Sequence, residues 1–68
     1  MDDETVRMIY HEVYNMWYRR YRDADLKDDR VFSAMLSDGA DLIMRFDNCS
    51  MVKHMVHDLI DHLERRTG

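Results

Sequence analysis

The chain reads as all-α: a three-helix antiparallel bundle, or a helical hairpin that self-associates. Three observations lead there. Its 68 residues include no proline and only two glycines, one of them the last residue. Apolar residues recur at intervals of three and four throughout, the period of one helix face. The stretches between them are short and rich in Asp, Asn and Ser, the residue types that cap helices. A single domain is expected over residues 1–68, with helices near 3–22, 29–47 and 50–66.

Each helix has its own signals. For the first, Asp2 or Asp3 serves as cap, Glu4 suits the positive helix end, and the core stripe is Val6, Ile9, Tyr10, Val13, Met16, Trp17 and Tyr21. It ends near Arg22, because Asp23-Ala24-Asp25-Leu26-Lys27 breaks the periodicity and reads as the connection. Asp28 or Asp29 caps the second helix, whose stripe is Val31, Phe32, Met35, Leu36, Leu42, Ile43 and Phe46. Gly39 falls in phase with that stripe. One long helix, in which Gly39 lets another backbone approach, is therefore preferred over two short ones broken at Ser37-Asp38-Gly39. Asn48 or Ser50 caps the third helix, with the stripe Met51, Val52, Met55, Val56, Leu59, Ile60 and Leu63. Arg65 and Arg66 then suit its negative end.

Size argues for assembly. A domain this short buries only about 60% of its unfolded surface, so its core needs a supplement. The single cysteine, Cys49, excludes an intramolecular disulfide, and no cysteine and histidine spacing matches a zinc finger. A homo-oligomer is the remaining common solution. The first residues are acidic where a secretory signal is basic and then apolar, and no apolar run approaches the roughly 20 residues that span a bilayer. These features predict a cytoplasmic protein with no membrane partner.

Charge is unevenly spread. The net charge is −4, yet residues 5–22 carry four Arg and one Glu. The run Met16-Trp17-Tyr18-Arg19-Arg20-Tyr21-Arg22 concentrates the only Trp, two of four Tyr and three Arg in seven residues. Aromatics mixed with guanidinium groups are the composition of a contact surface. At about 100° per residue, Trp17 and Tyr21 join the core stripe, while Arg7, His11, Tyr14, Tyr18 and Arg22 form a ridge on its flank. That ridge is the candidate site: a rim for a protein partner, a stack for a nucleotide, or tyrosines packed on a neighbouring helix. General nucleic-acid binding is not expected from an acidic chain.

A second cluster, His54, His57, Asp58, Asp61 and His62, has residue types that ligate a transition metal but is better read as i,i+4 pairs on a solvated face. No metal site and no cofactor are assigned. Cys49 has no motif that would make it a nucleophile, and adjacent Asp28 and Asp29 are explained by capping, so the chain is expected not to be an enzyme. Seven methionines, Met8 and Met44 among them lying off the core stripes, add adaptable contact surface.

The pattern resembles small acidic helical proteins encoded by phages and mobile elements of gut Firmicutes. The residues that carry the likeness are Asp2-Asp3-Glu4-Thr5, the Tyr14-Asn15-Met16-Trp17 segment, the acidic connection and the terminal Leu59-Ile60-Asp61-His62-Leu63-Glu64-Arg65-Arg66. That resemblance implies a host protein as partner, in the host cytoplasm, with inhibition of a defence protein by direct contact, as anti-CRISPR proteins do. It also implies an alternative, an oligomeric sponge that sequesters nucleotide second messengers; a structural or regulatory assembly subunit is a third reading, apart from the resemblance.

Overall fold

The computed structural model describes residues 2–67. Helix α1 opens at Asp2, whose extended backbone lets its carboxylate accept a hydrogen bond from the Thr5 N–H at 2.8 Å. From there one continuous rod runs as α-helix over Asp3–Tyr10, as π-helix over His11–Tyr18, and as a last α-helical turn over Arg19–Arg22. The Arg19 N–H reaches back to the Tyr14 carbonyl, the five-residue step of a π ladder.

The spacing of large residues explains this winding. Ile9, Val13, Trp17 and Tyr21 are all buried, at strict intervals of four. On an α-helix of 3.6 residues per turn that spacing drifts by about 40° per step, so the stripe would wander off the core by the third step. The wider π turn holds the four side chains nearly in line. It also narrows the stripe: Tyr10 and Met16, expected in the core, are 49% and 44% exposed, because each is one residue off the buried row.

Helix α2, Asp29–Arg45, starts on Asp28, whose carboxylate accepts from the Arg30 N–H at 2.9 Å. It is unbroken through Gly39. A methyl group on Gly39 would lie 3.1 Å from Val56 Cγ1 and 3.2 Å from Trp17 Cζ2. Side chains, not the backbone expected from the sequence, fill the space the glycine leaves. The indole N–H then donates to the Met35 carbonyl at 3.1 Å, one turn before Gly39, so the buried Trp17 nitrogen is satisfied. Leu36, expected in the core stripe, stays 39% exposed.

The expected end of α2 at residue 47 is two residues late. Asp47 and Asn48 adopt left-handed φ values of 54° and 60°, and the Asn48 N–H closes back to the Ile43 carbonyl at 2.9 Å. Asn48 therefore terminates α2 instead of capping the next helix. Helix α3, Ser50–Thr67, takes its first helical bond from Lys53 N–H to the Cys49 carbonyl at 3.0 Å, which makes Cys49 the flanking residue in place of Asn48 or Ser50. The Thr67 hydroxyl donates to the Leu63 carbonyl at 2.9 Å in its last turn.

Each helix packs on both others, so the architecture is the three-helix bundle and not the hairpin. It measures 37 × 17 × 16 Å. The core is Ile9, Val13, Trp17 and Tyr21 from α1, Met35 and Leu42 from α2, and Val52, Val56 and Leu63 from α3. Leu26 joins it from the connection, only 8% exposed, and closes the end of the bundle where the chain crosses from α1 to α2. No helix among the described residues is long and apolar enough to cross a membrane.

Candidate interaction surface

Near-four-residue winding sorts α1 into rows one residue apart. The buried row is flanked toward α2 by Met8, Glu12, Met16 and Arg20, and there Glu12 pairs with Arg45 at 3.2 Å and Arg20 with Asp38 at 3.5 Å. Toward α3 runs Tyr10, Tyr14, Tyr18 and Arg22. Opposite the core lie Arg7, His11, Asn15 and Arg19, all exposed.

The tyrosine row is ordered ring on ring. Tyr10 and Tyr14 stack at 5.5 Å between centroids, Tyr14 meets Tyr18 edge-on at 6.3 Å, and Tyr18 tilts onto His62 of α3 at 6.3 Å. Tyr10 and Tyr14 remain 49% and 38% exposed, so part of the row stays on solvent.

The ridge expected from the sequence is thus divided. Tyr14, Tyr18 and Arg22 stay together, whereas Arg7 and His11 belong to the outward row. The reason is the step from His11 to Tyr14: residues three apart are neighbours on an α-helix but open away from each other when the ladder widens. Tyr10 was missed because a 3.6-residue period assigns it to the core; its place was signalled by the regular series Val6, Tyr10, Tyr14, Tyr18, Arg22. His62, grouped by spacing with the carboxylates of α3, contacts Tyr18 instead, and Asp61 pairs with Arg65 at 2.9 Å. Among the described residues no three His, Cys, Asp or Glu side chains converge as metal ligands.

Two recesses flank α1. A groove of about 430 Å³ between α1 and α2 is lined by Glu12, Arg20, Asp38, Asp41 and Arg45 beside the Trp17 edge. Its charges largely answer one another through the two ion pairs already given. The Tyr21 hydroxyl donates to the Asp38 carboxylate in the same cluster. Burial first, and the neighbouring Asp38 second, raise the Tyr21 pKa above its ordinary value, with Arg20 opposing. At the other end of the scale, the Thr5 hydrogen bonds hold the exposed Asp2 carboxyl below its usual range.

The second recess, about 260 Å³, sits where α1 ends. Arg22, Lys27, Arg66 and one carboxylate, Asp25, surround an apolar floor of Ala24, Leu26 and Leu63. Arg22 pairs with Asp23 at 3.2 Å, but Lys27 and Arg66 form no ion pair among the described residues. Arg22 lies one turn beyond Tyr18, and Arg66 one turn beyond His62, so cations in excess continue the aromatic row. Sequence places Lys27 in the connection and Arg66 at a helix end but not beside each other, since no spacing rule connects a loop to the end of a distant helix. Comparison with protein-family models, curated proteins and solved structures returned no match for this chain.

Proposed function

We propose that the chain is a non-enzymatic binding protein that acts by direct contact with another protein, through the outward face of α1. One observation carries this reading: Arg7, His11, Asn15 and Arg19 line up on solvent, and Arg7 and Arg19 form no ion pair among the described residues. The bundle core is complete without them, so these cations have no evident structural task. A cationic strip on a chain of net charge −4 suits an acidic patch on a partner, because local complementarity steers docking and rejects basic partners. Together with the resemblance to phage and mobile-element proteins, this supports a steric inhibitor of a host protein, of the defence or CRISPR type.

Affinity capture from host lysate, wild type against Arg7→Glu plus Arg19→Glu, tests the reading. Both positions are exposed, so the variant should keep its helicity by circular dichroism and lose the specifically retained partner. A folded variant that retains the same partner excludes this face.

A further inference from the structure

The last turn of α1 is clamped from α2 by a single carboxylate. Asp38 accepts from the Tyr21 hydroxyl and pairs with Arg20 at 3.5 Å, and both partners lie in the turn Arg19–Arg22 that follows the π-helical stretch. We propose that this clamp is a latch: it holds α1 in its wide winding, and when it opens, His11–Tyr18 rewinds as α-helix.

Geometry sets Tyr21 apart from the other buried residues of its row. On an α-helix, residues four apart drift by about 40°. Ile9, Val13 and Trp17 span two such steps, about 80°, which fits within the apolar stripe of roughly 100° that an ordinary α-helix buries. Tyr21 adds a third step and brings the total to about 120°, outside that stripe. Three of the four residues therefore bury on either winding, and only Tyr21 demands the wide one. It is also anchored to match, with a residue exposure of 6% and its hydroxyl bound to α2. The Trp17 bond to the Met35 carbonyl holds a residue that both windings keep on the core side.

The backbone is already divided at the junction. The Arg19 N–H reaches the carbonyls of Tyr14 and Met16, five and three residues back, on either side of the Asn15 carbonyl that an α ladder uses. Moving that one donor from Tyr14 to Asn15 starts the rewinding. The outer side of α1 does not oppose it: Arg7, His11, Asn15 and Arg19 are exposed, and the two arginines form no ion pair among the described residues.

Opening the latch acts at a distance. Arg7 and Arg19 are three steps apart, so a plain α winding sets them about 120° apart around the rod instead of in one line. Asp38 meanwhile lines the groove between α1 and α2, where its side chain is 39% exposed. The groove and the outward strip are thus coupled through one carboxylate, and whatever draws Asp38 off Tyr21 dismantles the strip. The latch itself is independent of the outward-face reading; only this consequence rests on it.

Scalar couplings across hydrogen bonds, measured by NMR, identify the carbonyl to which each amide donates. In wild type the Arg19 N–H should couple to Tyr14. Tyr21→Gln should move that coupling to Asn15 while helicity by circular dichroism is kept, and Tyr14→Gln, which removes an exposed ring of the same helix, should leave it in place. Asp38→Ala keeps the Tyr21 ring but removes its acceptor, so both couplings should appear and the one to Tyr14 should weaken. If Tyr21→Gln does not fold, Asp38→Ala decides alone. A wild type coupled to Asn15 overturns the proposal, as does a folded Tyr21→Gln or Asp38→Ala variant coupled only to Tyr14. The Arg7→Glu plus Arg19→Glu variant leaves the latch untouched, so a face that fails the capture test does not move these couplings and the two readings fail separately.

Discussion

Tyr21 shows how one side chain couples the core to the surface. Its ring belongs to the buried row, and its hydroxyl donates to Asp38, which also pairs with Arg20. Burial beside a carboxylate favours the neutral phenol, so the folded-state pKa lies above that of the unfolded chain. Below the ordinary tyrosine value the full contribution to stability is present. As pH rises past it the unfolded chain deprotonates first, and the contribution is lost up to the folded pKa. Denaturant titrations at stepped pH should therefore show stability falling above about pH 10. Tyr21→Phe should cost about 0.5–1.5 kcal/mol at neutral pH and flatten that decline, and an equally steep decline in the variant would contradict the assignment. The burial of Tyr21 was legible from its spacing. Its partner was not, because Asp38 lies on another helix and periodicity carries no information across helices.

At the scale of the element, α1 is governed by a conflict between its backbone and its large residues. An α ladder is the more favourable winding locally, but four-residue spacing of Ile9, Val13, Trp17 and Tyr21 buries all four only on a wider turn. Deleting the exposed Asn15 should remove the conflict. The buried series then falls at intervals of four, three and four, which a regular α-helix keeps on one face. The deletion variant should fold with its melting temperature within about 5 °C of wild type or above it, while the Tyr14 to Tyr18 step is shortened and the aromatic row bends. Unfolding would refute this account of the winding. Sequence made the three helices and the continuity of α2 through Gly39 readable, because those rest on residue types and on a coarse period. It misplaced Tyr10 and Met16 because a fixed 3.6-residue period cannot anticipate where tertiary burial alters the turn, and Leu36 because the period alone does not choose between it and the adjacent Met35, which takes the buried place. Leu26 escaped for a related reason: one apolar residue among acidic loop neighbours carries no period at all, yet it closes the core.

For the whole molecule, the charge pattern matters through its arrangement. Acidic residues open α1 and cations gather where it ends, at opposite ends of one 37 Å side. If that polarity drives pairing, the melting temperature should rise with protein concentration and fall as salt increases, because association stabilises by mass action and exposed charges are screened within about 8 Å at physiological ionic strength. Melting curves identical over a hundredfold concentration range would show that a single copy carries its own stability. The π-helical stretch has a further effect here, one of length. The segments of α1 total 20 residues, against 17 in α2 and 18 in α3. Wound as a plain α-helix, α1 would reach about 30 Å, against about 26 Å for α2 and about 27 Å for α3. More residues per turn shorten the rod, so its excess residues are stored in girth instead of protruding.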